Sequence, residues 1–367
     1  MRRPQIKPEH APYLTADSTV RIGGGVLGIA AEITDPGGWL WSLVSVADGT
    51  LTPGQIVGRV CDRHPDASAT DVRDALDALI AAGYVVDAAA DEPDDLTAQE
   101  QERYDRGMQY YRWVDLTPRS SPWDVQRKLK NARVTLVGLG GTGATAALAL
   151  AASGVGRLHC IDADIVSLSN LNRQALYTAD DLGRPKAETA VARLRRVNSD
   201  IQISAEQTMI GSREDLARAC AGFDLLVLCA DQPDELRIWA NRACLAARLR
   251  WVDGGYHGPL VTAAAYTPGT GACWECLRAG ERTRLGLAAA PVRDVVRQLH
   301  RPPGHPATAM SAGLSGHLVA HLAVALLTGA SPVTPGALVG INLMMPGDPV
   351  TVRHPRLPGC PACGTPG

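Results

Sequence analysis

Three clusters of residues in this sequence have the types and spacing to do chemistry. The first is a glycine loop, V-G-L-G-G-T-G, in which Gly138, Gly140 and Gly143 satisfy G-x-G-x-x-G after an apolar run that begins at Arg133. Glycines permit a tight turn there and let backbone N–H groups approach a phosphate at the positive N-terminus of the next helix. Asp162 follows about twenty residues on, at the spacing of an acid that holds ribose hydroxyls. This loop fits NAD as well as ATP. The second cluster, Arg173, Lys186 and Asp231, bears on that choice. Attack of a carboxylate on the α-phosphate of ATP joins two anions, so it needs cations to offset repulsion and stabilise departing pyrophosphate. It also needs a carboxylate to hold Mg2+ on the phosphates. A dehydrogenase requires no such trio. Each residue alone is also an ordinary solvated charge; the three together favour ATP. The third cluster is two C-x-x-C pairs, Cys273/Cys276 and Cys360/Cys363. Two pairs in a reduced compartment read as a tetrahedral Zn2+ site with four thiolates, closed and therefore structural. The rival, a redox-active C-x-x-C, lacks a thioredoxin-like context.

These groups need a scaffold. Residues 133–137, 157–164 and 224–230 read as buried strands, with a helix over 144–153 and another opened by G-R-P-K. Residues 166–174 are too polar for a crossover helix. Ligands of an open parallel sheet bind at the C-terminal ends of its strands, where Asp162 and Asp231 fall. The implied fold is α/β, a Rossmann-like doubly wound sheet. Residues 302–347 carry no Lys, Arg, Asp or Glu and are broken by glycines and prolines. A buried core helix over 308–327 followed by a strand fits them better than a membrane span.

The chain has 367 residues, 46% hydrophobic and 20% charged, with a net charge of −2, so nothing global directs it to nucleic acid or an anionic membrane. Its N-terminus lacks the apolar core of a secretory signal, so a cytoplasmic location with reduced thiols is expected. It has only four lysines, Lys186 among them. Residues 87–102 are acidic and polar and read as a linker, giving domains of 1–95 and 96–367. In the first, residues 19–23 and 26–30 suggest a hairpin. Helices follow at 38–44, 52–60 and 68–80, and a short strand at 83–87. Together they suggest a small α+β winged helix-turn-helix. The last helix region holds three Asp and one Arg, which argues against DNA reading. The pattern over residues 19–87 resembles the RiPP recognition element, a module that binds leader peptides, and this resemblance implies β-augmentation by a precursor (leader) peptide. A winged helix that serves only in packing is the other reading.

From about residue 100 to residue 364, the sequence resembles the ThiF/MoeB-type adenylating family, the bacterial relatives of ubiquitin-activating enzymes. The motifs that carry the resemblance are R-Y-D-R (103–106), V-G-L-G-G-T-G, S-G-V-G-R-L, I-D-A-D-I-V-S-L-S-N-L-N-R-Q, G-R-P-K, C-A-D-Q and the paired knuckles. The resemblance implies that Gly141 touches the phosphates and Asp162 holds the ribose. It places Asn170, Arg173, Gln174 and Lys186 around the triphosphate and Asp231 on Mg2+, with Asp164 near the metal. It also implies a homodimer in which Arg106 reaches the partner's site, although the family's usual glutamine after that arginine is Gly107 here. Members that form an enzyme thioester keep a cysteine between the knuckles, and residues 277–359 contain none, so no thioester is expected. Cys61, Cys160, Cys220, Cys229 and Cys244 read as small core residues. Arg282, Arg284, Arg293, Arg297 and Arg301, set against Glu281 and Asp294, make residues 279–306 basic, either a clamp over a peptide carboxylate or a solvated loop. The expected activity is ATP-dependent adenylation of a precursor-peptide carboxyl group, resembling microcin C nucleotidylation or a pantocin-type cyclisation. Alternatives are a sulfur-carrier adenylyltransferase and a non-catalytic presenter of leader peptides to a cyclodehydratase.

Overall fold

The computed structural model describes residues 1–284, 286 and 306–364. By contact density the chain divides into residues 1–128 with 329–331, and residues 129–328 with 332–367. In the first unit, β1 (Pro4–Ile6) pairs antiparallel with β5 (Val85–Asp87), and β2 (Tyr13–Leu14), β3 (Thr19–Ile22) and β4 (Ala31–Thr34) form a small antiparallel sheet. The second hairpin strand is therefore not at residues 26–30. Gly23, Gly24 and Gly28 take positive φ, and the chain turns through that stretch before pairing Ile33 with Val20. The helices α1 (Trp39–Val46), α2 (Pro53–Arg63) and α3 (Ala69–Ala81) match the sequence reading. Thr52 and Gln55 close a capping box at α2, and Ser68 accepts from the Asp71 N–H at α3. Their apolar faces bury Leu43, Ile56, Val60, Val72 and Leu76 with Val20 and Ile22 of the sheet.

The expected linker is only partly loop. A second capping box, Thr97 with Glu100, starts α4 (Ala98–Val114) inside it. Tyr104 and Met108 of α4 bury against Leu96 and Trp123. Around the end of α4, Arg112 Nε donates to Glu9 at 2.9 Å, and the buried Lys7 Nζ donates to the Asp115 carbonyl at 2.5 Å. Next, α5 (Asp124–Asn131) leads to the second unit.

The second unit is built on an eight-stranded sheet. Its strands are β6 (Arg133–Val137), β7 (Arg157–Ile161), β8 (Gln202–Glu206), β9 (Leu225–Leu228), β10 (Arg250–His257), β11 (Leu260–Tyr266), β12 (Leu338–Asn342) and β13 (Pro349–Val352). The order is β13-β12-β11-β10-β9-β6-β7-β8, parallel from β8 to β10 and antiparallel beyond. Apolar runs such as V-T-L-V and L-L-V-L suit strands covered on both faces. Helices α6 (Gly141–Ala152) and α11 (Ala309–Thr328) pack together, and α7 (Lys186–Val197) packs beside α6. On the other side, α8 (Arg213–Cys220), α9 (Leu236–Ala247) and α10 (Trp274–Arg284) bury Leu216, Leu236 and Leu277 against Leu226, Leu228 and Trp251. This is the expected mixed α/β architecture with a large central sheet. By length and composition α11 is capable of crossing a membrane, but it packs on α6, β10 and β11 as a core helix.

Candidate active site

The sheet's order creates the site. From β6 the chain moves through α6 towards β7, and from the adjacent β9 through α9 towards β10, so the loops leaving β6 and β9 diverge. Such a switch point opens a crevice at the C-terminal strand ends. The glycine loop lies at one side of it and C-A-D-Q at the other. At Gly138, φ is +94° and a Cβ would stand 2.6 Å from the Ala230 nitrogen. At Gly143 a Cβ would come within 1.7 Å of the Gly138 carbonyl oxygen. The loop thus closes only with hydrogen at these positions. For the same reason α6 begins at Gly141, not at Ala144 as expected: the glycines already form its first turn, with Gly140 as N-cap.

Asp162, at the end of β7, accepts from the Leu139 N–H at 2.5 Å and from the Asp164 N–H at 2.8 Å. It fixes the glycine loop to the next turn. Tyr177, which no motif flagged, donates its hydroxyl to the Leu139 carbonyl at 3.1 Å, and burial raises its pKa. Lys186 begins α7, is buried, and gives Asp164 an ion pair of 2.8 Å. The 166–174 segment forms short turns, as its polarity implied. Within it Asn170 accepts from the Ser167 N–H at 3.0 Å, and its carbonyl receives the Gln174 N–H.

Two polar atoms beside the loop are orphaned. Arg173 directs Nη1 to the Ser169 carbonyl, while its buried Nε has no acceptor; Gln174 is buried with Oε1 lacking a donor. Gln174 Nε2 lies 4.0 Å from where a Gly140 Cβ would stand, and Arg173 Cγ 3.6 Å from that of Gly141. Buried polar atoms are seldom left unmatched, and a nucleotide offers oxygens to the first and hydroxyl or amine donors to the second. These unmatched groups therefore fit the chemistry of a nucleotide.

After β9, Asp231 faces Arg237 of α9, whose Nε reaches both oxygens of Asp253 on β10 at 3.1 and 3.2 Å. Burial pulls the Arg237 pKa down, but Asp253 and Asp231 outweigh it and raise the value. Sequence reading missed this Asp–Arg–Asp arrangement because its members lie on different elements. Arg106 sits on the exposed side of α4, with Nη1 3.4 Å from Gln109 Oε1. Of the basic 279–306 segment, Arg293, Asp294, Arg297 and Arg301 lie outside the described residues.

The four knuckle cysteines converge, all Sγ atoms lying within 4.8 Å of one another. Neighbouring pairs are 3.5 to 3.8 Å apart, close to the roughly 3.8 Å edge of a tetrahedron with Zn–S bonds of about 2.3 Å. Backbone and amide N–H groups approach the sulfurs from Leu357 and Asn241, as expected around thiolates. The cluster is compatible with a structural zinc. Cys160, Cys220 and Cys244 are buried core residues; Cys61 and Cys229 are partly buried.

The model of the ThiF family matches residues 114–362. Escherichia coli molybdopterin-synthase adenylyltransferase is 32% identical over 278 residues, covering 74% of this chain and 99% of that protein. E. coli MccB has the same fold at a TM-score of 0.80, with 22% identity and coverage of 100% and 98% of the two chains. The microcin C7 biosynthetic enzyme MccB solved in complex with N-formylated MccA aligns at 0.74, with 22% identity and coverage of 98% and 99%. The chain belongs to the ThiF family and is an enzyme of its adenylyltransferase type.

Proposed function

We propose that this enzyme uses ATP and Mg2+ to adenylate a carboxyl group of a ribosomally made precursor peptide. One set of contacts supports the reading: Gly138 of the glycine loop packs on Ala230 beside Asp231, Asp162 ties the same loop to Asp164, the ion-pair partner of Lys186, and Arg173 with its orphaned Nε approaches Gly141. ATP would lie over Gly138, Gly140, Gly141 and Gly143 with its ribose on Asp162. Asn170, Arg173, Gln174 and Lys186 would flank the triphosphate. Lys186 keeps protons for phosphate oxygens beyond the one it gives Asp164. Asp231 would hold Mg2+, with Asp164 nearby. A peptide carboxylate oxygen attacks the α-phosphorus, the bond to the bridging β-oxygen breaks, and pyrophosphate leaves with the electron pair. The cations stabilise that charge. An amine, amide or other group of the peptide then attacks the acyl carbon of the adenylate, the acyl C–O bond breaks and AMP leaves, with no thioester through residues 277–359.

The peptide assignment rests on the elements of residues 1–95, which we read as a winged helix of the recognition-element kind. The MccB–MccA complex, formed on the same fold, supports a peptide partner. The acidic face of α3, with Asp71, Asp74 and Asp77, disfavours nucleic acid. We further assign Zn2+ to Cys273, Cys276, Cys360 and Cys363, the adenylation domain to residues 96–367, and a cytoplasmic homodimer in which the exposed Arg106 serves the partner's site. The similarity to a molybdopterin-synthase adenylyltransferase favours a second reading, activation of a sulfur-carrier protein.

The discriminating assay is ATP–pyrophosphate exchange by the full chain. Exchange driven by a candidate precursor peptide, taken from a short reading frame beside the gene, is the expected result. Exchange driven only by a carrier protein ending in Gly-Gly would replace the peptide reading. ATP binding without exchange for either substrate would overturn adenylation.

A further inference from the structure

β10 brings to the glycine loop a side chain that none of the motifs contains. Side chains alternate across a strand, and at the end of β10 the two faces have different duties. Asp253 turns to Arg237, whereas a Cβ on Gly254 would strike Val319 of α11 at 2.3 Å. Tyr256 shares the face of Gly254. Its hydroxyl ends 3.4 Å from where a Gly141 Cβ would stand, near the same point that Arg173 Cγ approaches to 3.6 Å. The phenol is half-buried, and its hydroxyl has no hydrogen-bond partner among the described residues. Gly141 is the first residue of α6, so the N–H groups beside Tyr256 have no acceptor within the helix.

We infer that Tyr256 contacts the nucleotide, its hydroxyl donating a hydrogen bond to a phosphate oxygen held at the N-terminus of α6. A phenol suits this place. It is neutral, so its partial burial carries no charge penalty, and its bond to an anionic oxygen is stronger than one between neutral groups. Glycine at 141 is then required twice. It lets Ala312 of α11 pack, since a Cβ would stand 2.8 Å from that methyl, and it leaves the hydroxyl a clear line to the helix terminus. This inference rests on the nucleotide half of the proposed function and is independent of the peptide.

The test is Tyr256→Phe in the full chain, which keeps the ring and removes one oxygen. Calorimetric titration with MgATP and, separately, with adenosine reads the effect without any peptide. Loss of a hydrogen bond to a charged group weakens MgATP binding about ten- to a hundredfold. Adenosine affinity and the melting temperature of the free protein stay as in the wild type. MgATP binding within about twofold of wild type would overturn the inference, and so would an equal loss for adenosine. A wild-type chain that fails to bind MgATP overturns the nucleotide reading itself, whereas one that binds it but shows no peptide-dependent exchange leaves the role of Tyr256 standing.

Discussion

In the proposed function Lys186 has a task that its fold does not require. Its side chain is 5% exposed, while its partner Asp164 is 70% exposed and can be solvated without it. Replacing the lysine should therefore cost the fold little and the chemistry much. Lys186→Met is expected to lower the rate of adenylation by a factor on the order of 10²–10³, as removal of a preorganised charge donor does, with the melting temperature nearly unchanged. Steady-state pyrophosphate exchange and a thermal melt check both halves. Lys7 is the converse, a buried lysine that serves structure. Burial pushes its pKa down to about 8, against the opposing pull of Asp115 and Glu9. The unfolded chain then binds more protons between pH 8 and 10.5, so this residue's contribution to stability rises with pH across that window. Relative to Lys7→Met, the wild type is expected to gain stability from about pH 8 to 10.5, a difference that paired urea melts across that range would read. An unchanged difference would refute the assignment.

At the scale of elements, the site depends on the packing of α11 against α6. A Cβ on Gly316 would stand 2.5 Å from the Thr145 Cβ and 2.6 Å from the Thr142 carbonyl, and Thr142 Oγ1 meets Ser315 Oγ at 2.6 Å. Gly316→Ala forces the helices apart, and overpacking of this kind costs about 1–3 kcal/mol. The expected result is a lower melting temperature together with weaker ATP binding, because in the proposed site the first turn of α6 faces the phosphates. The cysteine knuckles act over a longer range, holding the start of α10 and residues 360–363 at one point. Chelation of zinc, or Cys276→Ser, is expected to lower the melting temperature and open residues 353–359 to proteolysis. Metal analysis should give about one zinc per chain in the wild type. The sequence showed where strands and capped helices lie, because V-T-L-V, L-L-V-L and Thr52-x-x-Gln55 are local signals. It misplaced the start of α6, since glycines that look like loop are there because α11 and Gly138 leave no room for a Cβ, while the backbone is already helical. It also placed the second hairpin strand five residues early, where apolar residues cluster but positive-φ glycines turn the chain.

For the molecule as a whole, the sequence made the ligand types legible but not their juxtaposition. Asp231, Arg173 and Lys186 stood out as the charges a phosphoryl chemistry needs. The Asp231–Arg237–Asp253 arrangement and Tyr256 did not, because they depend on β10 lying beside β9, a topological fact with no local signature. In the proposed site the sheet order brings scattered residues to the strand ends, and the central claim is that a substrate carboxylate attacks the α-phosphorus of ATP there. Oxygen-18 tests this claim directly. The precursor peptide, labelled in its carboxylates, is incubated with the enzyme, MgATP and hydroxylamine, which captures the acyl-adenylate. AMP is then isolated and weighed by mass spectrometry. The account predicts AMP carrying one oxygen-18 atom, with pyrophosphate unlabelled. Unlabelled AMP, or ADP and phosphate as the products, would contradict it.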